Sequence, residues 1–315
     1  MTEAIIKLDQ MGKEKVPAAL RAQTYFDFSA HPFAHQAIFE RTNSVCGAIP
    51  AIEDYTVEWL QNAIAERRTG VEIFHNNAPE ASYTTGNFEI LLEAETVFAP
   101  AHIIGSHAEN ACYSIYLEKG ARIIGADIYL DKGSIYIGAE TIIEPCVGIR
   151  GPAIVGKRNE IRQGAYLRGN CILGDACTLR GELKNVIMMN EGNFPHPSYL
   201  GDSICGYMTH FGNQATAANL GIYEGAKNSA DRRTILLRCD NKVFDSGIRK
   251  MGVCMGDFCQ VGCNAVSDPG TFLKPHTIVY SLTRISKGFY GPNEVLKNKP
   301  FEHGVIERAP LQSIN

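Results

Sequence analysis

The segment GNFPHPSYLGDSICG, residues 192–206, holds a single histidine, His196, between two prolines. Pro195 and Pro197 fix the backbone on both sides of the histidine and remove two main-chain donors, which predicts a stiff loop and not a helix or central strand. Imidazole can accept a proton near neutral pH, so histidine is a frequent general base in group transfer. His196 is therefore a candidate catalytic base, with a hydrogen-bonded histidine in a turn as the alternative.

The ten cysteines are the other residues with evident chemistry. There is no CxxC pair, and the densest group, Cys254, Cys259 and Cys263, has a spacing that matches no common zinc pattern. Isolated cysteines of this kind are typical of small buried side chains. We expect reduced cysteines and no metal.

The composition argues against several function classes. The 315-residue chain has a net charge of −4 with both signs dispersed, which predicts no binding to nucleic acid or to an anionic membrane surface. The first residues lack the apolar core of a signal peptide, and no apolar run has the length of a membrane span. We expect a cytoplasmic protein.

An internal repeat defines the elements that must position any site. Every sixth residue is aliphatic at eight consecutive positions: Ile137, Ile143, Ile149, Val155, Ile161, Leu167, Leu173 and Leu179. The same spacing resumes downstream, with one polar member: Met255, Val261, Ser267, Leu273, Val279 and Ile285. Glycine follows the aliphatic residue at 138, 156 and 174, which is once in every three hexads, so three hexads make one coil.

This period is typical of a left-handed parallel β-helix. Each hexad forms one short strand, three strands close a triangular coil, and coils stack about 4.8 Å apart, so that like side chains form apolar ladders. No helical period of 3.6 residues occurs between residues 100 and 180, which argues against an α/β domain. The predicted fold class is mainly β: a left-handed parallel β-helix of hexapeptide repeats with a small α+β N-terminal region.

Three segments are predicted along the chain. Residues 1–95 form the α+β region, 96–287 the β-helix, and 288–315 a C-terminal strap. Within the first segment, residues 53–68 have apolar residues at helical spacing, and residues 31–40 suit a shorter helix. The first segment contains neither a Walker-type loop nor GxGxxG.

The regular coil is predicted to be interrupted between Gly181 and Gly201, because Leu173 and Leu200 are four and a half hexads apart and not three. Function in a regular β-helix collects where coils are interrupted or where subunits meet, since the coil itself is packed core. His196 lies in this segment, so we expect the site here.

Five segments resemble a known family, in order along the chain: AYLRG (165–169), GELKN (181–185), PHPSYLGDSICG (195–206), TAANL (216–220) and GIRKMGVCMGDFCQVG (247–262). Together they resemble the acetyltransferase half of the bifunctional glucosamine-1-phosphate acetyltransferase/N-acetylglucosamine-1-phosphate uridyltransferases, most closely the archaeal-type sugar-1-phosphate nucleotidylyltransferases. The resemblance covers roughly residues 100–285. The uridylyltransferase half does not match, so we expect no nucleotidyl transfer.

The resemblance implies acetyl transfer from acetyl-CoA to the 2-amino group of an amino-sugar 1-phosphate, a step toward UDP-N-acetylglucosamine that needs no metal. The family's base falls on His196, and its phosphate-binding arginine and lysine fall on Arg168 and Lys184. Tyr199 is the implied sugar contact, and Asn219 contacts the sugar or the acetyl group. A homotrimer is also implied, with sites that borrow residues from neighbouring chains.

This chain departs from the family's Asn-x-Gly-Ala-Gly pattern, since residues 210–214 read HFGNQ. His210 stands where the family has a sugar-binding asparagine. Gly212 and Asn213 belong to the backbone that lines the coenzyme in the family, and Cys263 stands where a serine helps to bind it. These differences concern the acceptor and the acyl pocket more than the fold or the base.

Two further functions stay open. His102 and His107 form an H-x4-H pair on an early coil, and zinc carbonic anhydrases are also left-handed β-helices, but no third histidine follows at a matching step. The altered residues 212–214 and the unfamiliar residues 1–95 also suit a trimeric scaffold or regulatory relative that binds a sugar nucleotide without turning it over.

Two arginines outside the resembling segments are weaker candidates. Arg232 and Arg233 precede the last coils and are candidates for contact with coenzyme phosphates, with an exposed basic turn as the alternative.

Overall fold

The computed structural model of the chain describes residues 4–78, 80–298 and 306–310. Of the predicted strap 288–315, residues 299–305 and 311–315 lie outside the described residues.

The chain divides into two compact units. Unit 1 comprises Met1–Ala51, Val186–Met188 and Ser198–Asn315, and unit 2 comprises Ile52–Asn185 and Met189–Pro197. The predicted fold class is confirmed, since the chain is mainly β and forms a left-handed parallel β-helix of short strands. The three-segment division remains a prediction.

Unit 2 is built from short strands joined by tight corners. They are Glu72–His75, Tyr83–Thr85, Phe88–Leu92, Val97–Ala99, His102–Ile104, Tyr113–Leu117, Arg122–Ile124, Asp127–Tyr129, Ile135–Ile137, Ile142–Ile143, Gly148–Arg150, Ala153–Val155, Glu160–Ile161, Tyr166–Leu167, Cys171–Leu173, Thr178–Leu179, Glu182–Met188 (which ends in unit 1) and Asn193–Phe194. Apart from the antiparallel pairing of Glu72–His75 with Phe88–Leu92, the ladders described in this unit are parallel.

The predicted coil of three hexads is confirmed in unit 2. Ile137 pairs with Val155 and Val155 with Leu173, and all three side chains are fully buried. The corners are as tight as the glycine spacing predicts, because a Cβ placed on Gly138 would lie 2.5 Å from the carbonyl carbon of Gly156.

One long helix, Ala48–Glu66, begins in unit 1 and ends in unit 2. It confirms the helix predicted at 53–68 and starts earlier, at Ala48. In unit 2, Trp59 packs edge-on against Tyr136 at 5.0 Å between ring centroids, so the helix covers one face of the coils. None of the helices in the described ranges combines the length and the apolar character needed to cross a membrane.

The predicted interruption between Gly181 and Gly201 is wrong. Strands Glu182–Met188, Asn193–Phe194 and Tyr199–Cys205 occupy this segment. In unit 2, Leu167 pairs with Leu183 and Leu179 with Phe194, and each of these pairs is less than three hexads apart in the chain. The coil is therefore shortened at its corners and continues, and the shortening conceals the hexad period.

Unit 1 combines an irregular N-terminal segment with the last coils. Its helices and helical turns are Leu8–Gln10, Lys13–Lys15, Ala18–Leu20, Ala22–Thr24, Ala37–Glu40, Val45–Gly47, Ile222–Gly225 and Ser229–Asp231. Its strands are Ile5–Lys7, Tyr199–Cys205, His210–Phe211, Thr216–Ala217, Leu236–Cys239, Lys242–Asp245, Val253–Met255, Gln260–Val261, Val266–Ser267, Thr271–Leu273, Ile278–Val279, Arg284–Ile285, Gly288–Tyr290, Glu294–Asn298 and Ile306–Pro310. In the segment predicted to form a short helix at 31–40, only Ala37–Glu40 is helical.

The excursion from the coils of unit 1 lies at residues 218–252, between Thr216–Ala217 and Val253–Met255. It contains a hairpin, Leu236–Cys239 with Lys242–Asp245, whose second strand pairs in parallel with Ile5–Lys7. Beyond it the predicted register is confirmed, because Met255, Val261 and Ser267 are buried and each pairs with the repeat member three hexads later.

Candidate active site

Arg168 directly follows the strand Tyr166–Leu167 of unit 2, and Lys184 lies in the neighbouring strand Glu182–Met188. Leu167 pairs with Leu183, and both leucines are fully buried. The ladder continues beyond them, because the main-chain N–H of Arg168 donates to the carbonyl oxygen of Leu183 at 2.8 Å. Since side chains alternate between the faces of a strand and paired strands are about 4.8 Å apart, the two cations share the outer face.

A carboxylate that the sequence analysis did not single out holds Arg168. Arg168 Nη1 donates to Glu182 Oε1 at 2.6 Å, with side chains 42% and 37% exposed. An ion pair this exposed stabilises the fold by only about 0–1 kcal/mol. Its main consequence is to hold the guanidinium at Glu182, which lies two residues before Lys184 on the same face of the strand.

His196 follows the last strand of unit 2. That strand, Asn193–Phe194, pairs with Thr178–Leu179, and the buried ring of Phe194 lies over Gly181, where any Cβ would collide with it. The chain is thus anchored just before His196, and the imidazole itself is exposed. An anchored chain with an exposed imidazole suits a side chain that meets a ligand.

In unit 1, Tyr199, Asp202 and Asn219 form one hydrogen-bonded cluster. Asn219 Nδ2 donates to Tyr199 Oη at 3.0 Å and to Asp202 Oδ2 at 2.5 Å. Asp202 is buried, whereas Tyr199 and Asn219 are half-buried. Two of the three predicted substrate contacts of this unit, Tyr199 and Asn219, are therefore together, and Asp202 is the partner that the sequence analysis missed.

The three predicted coenzyme residues also lie together in unit 1. Gly212 packs on Cys263 so closely that a Cβ on the glycine would lie 2.6 Å from the main-chain nitrogen of Cys263. The next residues are joined as well, since Asn264 N donates to Asn213 O at 2.9 Å. His210 pairs across the adjoining ladder with Gln260. Cys263 is exposed, so this corner is open to a ligand.

Arg232 and Arg233 are both bound to Glu224. Arg232 Nε donates to the carbonyl oxygen of Glu224 at 3.2 Å, and Arg233 Nε donates to its carboxylate at 3.1 Å. Hydrogen bonds from Lys227 and from the Arg233 main chain lower the pKa of the Glu224 carboxyl to about 2. Both arginines are thus bound within the excursion, and their contact with coenzyme phosphates remains a prediction.

The histidines behind the zinc alternative have other partners. His102 Nδ1 lies 2.6 Å from Asp127 Oδ1, and His107 Nε2 lies 3.4 Å from Thr85 Oγ1. Within the described ranges, no group of three or more His, Cys, Asp or Glu side chains is arranged to hold a metal ion. The zinc alternative therefore gains no support.

The cysteine group divides into two kinds of environment. Cys254 and Cys259 are fully buried, as predicted, and burial raises the pKa of Cys254 well above its ordinary value and that of Cys259 to about 12. Such thiols stay protonated and are poor nucleophiles and metal ligands. Cys263 is exposed, in contrast to the buried position predicted for it.

The structure thus assembles the predicted residues in three local groups: Arg168 with Lys184, Tyr199 with Asn219, and Gly212 with Asn213 and Cys263. The roles of these residues, and that of His196 as the base, remain predictions.

Comparisons with known proteins test the family resemblance found in the sequence. No family model matches the chain. A bifunctional sugar-1-phosphate nucleotidylyltransferase/acetyltransferase of Sulfurisphaera tokodaii is 29% identical over 158 residues, which are 44% of this chain and 37% of that protein. A bifunctional protein GlmU of Methanocaldococcus jannaschii is 33% identical over 110 residues, which are 35% of this chain and 24% of that protein. The chain thus spans less than two fifths of the length of these relatives.

A solved structure, that of the polysialic acid O-acetyltransferase OatWY, aligns with 73% of this chain and 88% of its own at 15% identity, with a TM-score of 0.27. The family resemblance rests on the sequence relatives alone. The predicted resemblance is confirmed: over part of its length this chain resembles the bifunctional sugar-1-phosphate nucleotidylyltransferase/acetyltransferases and GlmU proteins, archaeal members included.

Proposed function

We propose that this chain transfers the acetyl group of acetyl-CoA to the amino nitrogen of an amino-sugar 1-phosphate. The observation that carries the proposal is the adjacency of Arg168 and Lys184 on one ladder of unit 2. The names of the similar proteins support it, since they combine sugar-1-phosphate chemistry with acetyl transfer.

The phosphate is the part of the acceptor that this adjacency fits. A guanidinium and an ammonium on neighbouring strands can together neutralise a phosphomonoester, the guanidinium through its fork of N–H donors and the ammonium as a point charge. Glu182 keeps the guanidinium in one orientation before the ligand arrives. A preset orientation reduces the entropy lost on binding.

The Tyr199, Asp202 and Asn219 cluster suits the sugar end of the acceptor. Asn219 commits both amide hydrogens to its neighbours, so its Oδ1 is the atom left to face a ligand. An oxygen acceptor of this kind would align an amino group whose lone pair must point at the thioester.

The reaction then needs one base and no redox step. The acceptor nitrogen attacks the thioester carbonyl, the new C–N bond forms, and the C–S bond breaks to release coenzyme A as its thiol. His196 takes the proton that the nitrogen loses, and that proton can pass to the departing sulfur. The corner formed by Gly212, Asn213 and Cys263 is the proposed contact for acetyl-CoA, and a homotrimer is the proposed assembly.

A non-catalytic scaffold that binds a sugar nucleotide is the second candidate. It is favoured by Gln214, which occupies a left-handed backbone position with φ of 57° and adds a side chain beside the proposed coenzyme corner. A side chain there would narrow the space for the acyl group. This candidate predicts ligand binding without release of coenzyme A.

The test is an assay of thiol release from acetyl-CoA with three acceptors. Glucosamine 1-phosphate should be acetylated, glucosamine should react much more slowly because it lacks the phosphate, and glucose 1-phosphate should not react because it lacks the amine. Mass spectrometry of the product locates the acetyl group on nitrogen. The scaffold would be favoured if the protein binds a sugar nucleotide but releases no thiol from acetyl-CoA with any amino-sugar phosphate as acceptor.

A further inference from the structure

A cavity of about 420 Å³ lies in the N-terminal part of unit 1, outside the residues assigned to acetyl transfer. Its volume falls within the range of about 300–1,000 Å³ that is usual for small-molecule sites. Apolar atoms supply most of the lining surface, and most of the lining residues also carry a polar group, with two cations, one carboxylate, two amides and two hydroxyls: Lys13, Glu14, Arg21, Ala22, Gln23, Phe39, Thr42, Asn43 and Ser44.

Main-chain carbonyl groups hold both cations in place. Lys13 Nζ donates to the carbonyl oxygens of Phe39 and Glu40 at 3.4 and 3.2 Å. Arg21 donates through Nε to Val16 O at 2.7 Å and through Nη2 to Glu14 O at 2.8 Å. These bonds leave further N–H donors on each group, since an ammonium has three and a guanidinium five.

Neither cation is neutralised by a carboxylate of the described chain. Other basic side chains are, such as Arg68 by Glu89 at 2.6 Å and Arg284 by Asp268 at 2.9 Å. The one carboxylate of the lining, that of Glu14, folds back over Gly12, where its Cδ lies 2.9 Å from the position of a Cβ. Lys13 and Arg21 therefore line one cavity, and among the described residues neither is in ion-pair distance of a carboxylate, the nearby Glu14 carboxylate being directed at Gly12.

The neutral polar groups of the lining add hydrogen-bond donors and acceptors to the two cations. Asn43 Nδ2 donates to Met11 O at 2.9 Å, so its amide is fixed and its Oδ1 is available. Gln23 is exposed at the rim, and its amide offers both a donor and an acceptor. Amides of this kind are suited to the hydroxyl groups of a small metabolite.

We propose that this cavity binds a small phosphorylated, hydroxylated metabolite, with the phosphate on Lys13 and Arg21 and the hydroxyl groups on Gln23 and Asn43. The site shares no residue with the proposed acceptor site.

The test is calorimetric titration of the full chain carrying Arg168→Gln and Lys184→Gln, so that phosphate binding at the proposed acceptor site does not contribute. Glucose 6-phosphate and inorganic phosphate are the probes. We expect glucose 6-phosphate to bind at one site per chain and more tightly than inorganic phosphate. Gln23→Glu, which keeps the shape and adds a negative charge, and Lys13→Met should each weaken binding about tenfold or more.

Matched controls separate the cavity from general surface charge. Gln61→Glu changes an exposed glutamine elsewhere, and Lys15→Met removes an exposed lysine near Lys13 that does not line the cavity. Both should bind as the parent does. The proposal is overturned if no heat is seen with millimolar glucose 6-phosphate, or if Gln23→Glu and Lys13→Met bind as tightly as the parent. Equal affinity for inorganic phosphate and glucose 6-phosphate would show that the cavity binds an anion without recognising the hydroxyl groups of a metabolite. That result would also overturn the proposal.

Discussion

Asn219 and Asp202 are joined by a hydrogen bond of 2.5 Å, in which the amide Nδ2 donates to the buried carboxylate. The second amide hydrogen goes to Tyr199 Oη at 3.0 Å. A carboxylate can only accept here, so it fixes which end of the amide faces inward. Asp202 therefore decides how Asn219 meets a ligand.

Asp202→Asn should reduce acetyl transfer without unfolding the protein. Asparagine tolerates the left-handed backbone at this position, where φ is 47°, but it allows the Asn219 amide to flip. We expect kcat to fall about tenfold with a smaller change in KM, measured by thiol release. Asp268→Asn removes a different carboxylate of unit 1 and should leave kcat unchanged. If Asp202→Asn keeps the wild-type kcat, Asp202 does not position Asn219 for the reaction.

Arg168→Gln should weaken binding of the acceptor and leave binding of the coenzyme unchanged. Loss of a charged hydrogen-bond donor to phosphate corresponds to about 1.5–3 kcal/mol, or roughly 10- to 100-fold in KM for glucosamine 1-phosphate. The KM for acetyl-CoA should not change. Arg162→Gln is the matched control, since Arg162 also pairs with a carboxylate, Glu160 at 2.8 Å, outside the proposed site. Equal effects of the two substitutions would contradict the phosphate role.

The pair formed by Arg68 and Glu89 should make stability depend on acid pH. Arg68 donates to both Glu89 oxygens at 2.6 and 2.7 Å, and this pairing, aided by Ser114, lowers the pKa of the largely buried Glu89 carboxyl below its ordinary value. A lowered pKa in the folded state gives stability that is present above the unfolded pKa and is lost as the pH falls through the folded one.

Arg68→Gln should therefore reduce the free energy of unfolding by about 1–2 kcal/mol at pH 7, with Arg68 itself 43% exposed to solvent. Urea unfolding should show this difference shrinking as the pH falls through the lowered pKa of Glu89 in the folded wild-type protein. A difference that stays constant from pH 7 to pH 3 would contradict the assignment.

Acetyl-CoA should protect Cys263 from alkylation. Cys263 is exposed beside Gly212, whereas Cys259 is buried with a pKa of about 12 and should not react in the native protein. Iodoacetamide labelling followed by mass spectrometry should give a slower rate at Cys263 when acetyl-CoA is present. Cys146, exposed in unit 2, is the internal control and should label at the same rate with and without the coenzyme. Unchanged labelling of Cys263 would contradict the proposed coenzyme corner.

The fold was predictable from the sequence because stacked coils require an inward-facing apolar side chain in every hexad. This requirement appears in the sequence as a period of six residues. Ile143, Ile161 and Leu179 are aligned at the spacing the repeat requires. The same reasoning failed at 181–201, because shorter corners bring the paired residues to less than three hexads apart while the strands still pair. Periodicity alone cannot separate a shortened coil from a break.

The site was only partly predictable for a related physical reason. Arg168 and Lys184 were found through resemblance, but Glu182 and Asp202 act through cross-strand and cross-loop hydrogen bonds that depend on register. The available signal for Glu182 was its position at the second residue before Lys184, on the same face of a strand. The cavity at Lys13 and Arg21 had no sequence signal, because its charges meet through irregular turns.

The most direct measurement is the rate of coenzyme A release with acetyl-CoA and glucosamine 1-phosphate, compared between the wild-type protein, His196→Ala and His107→Ala. We predict that wild-type protein turns over, that His196→Ala loses about 100-fold or more in kcat, and that His107→Ala keeps the wild-type rate. Wild-type turnover in His196→Ala would contradict the account.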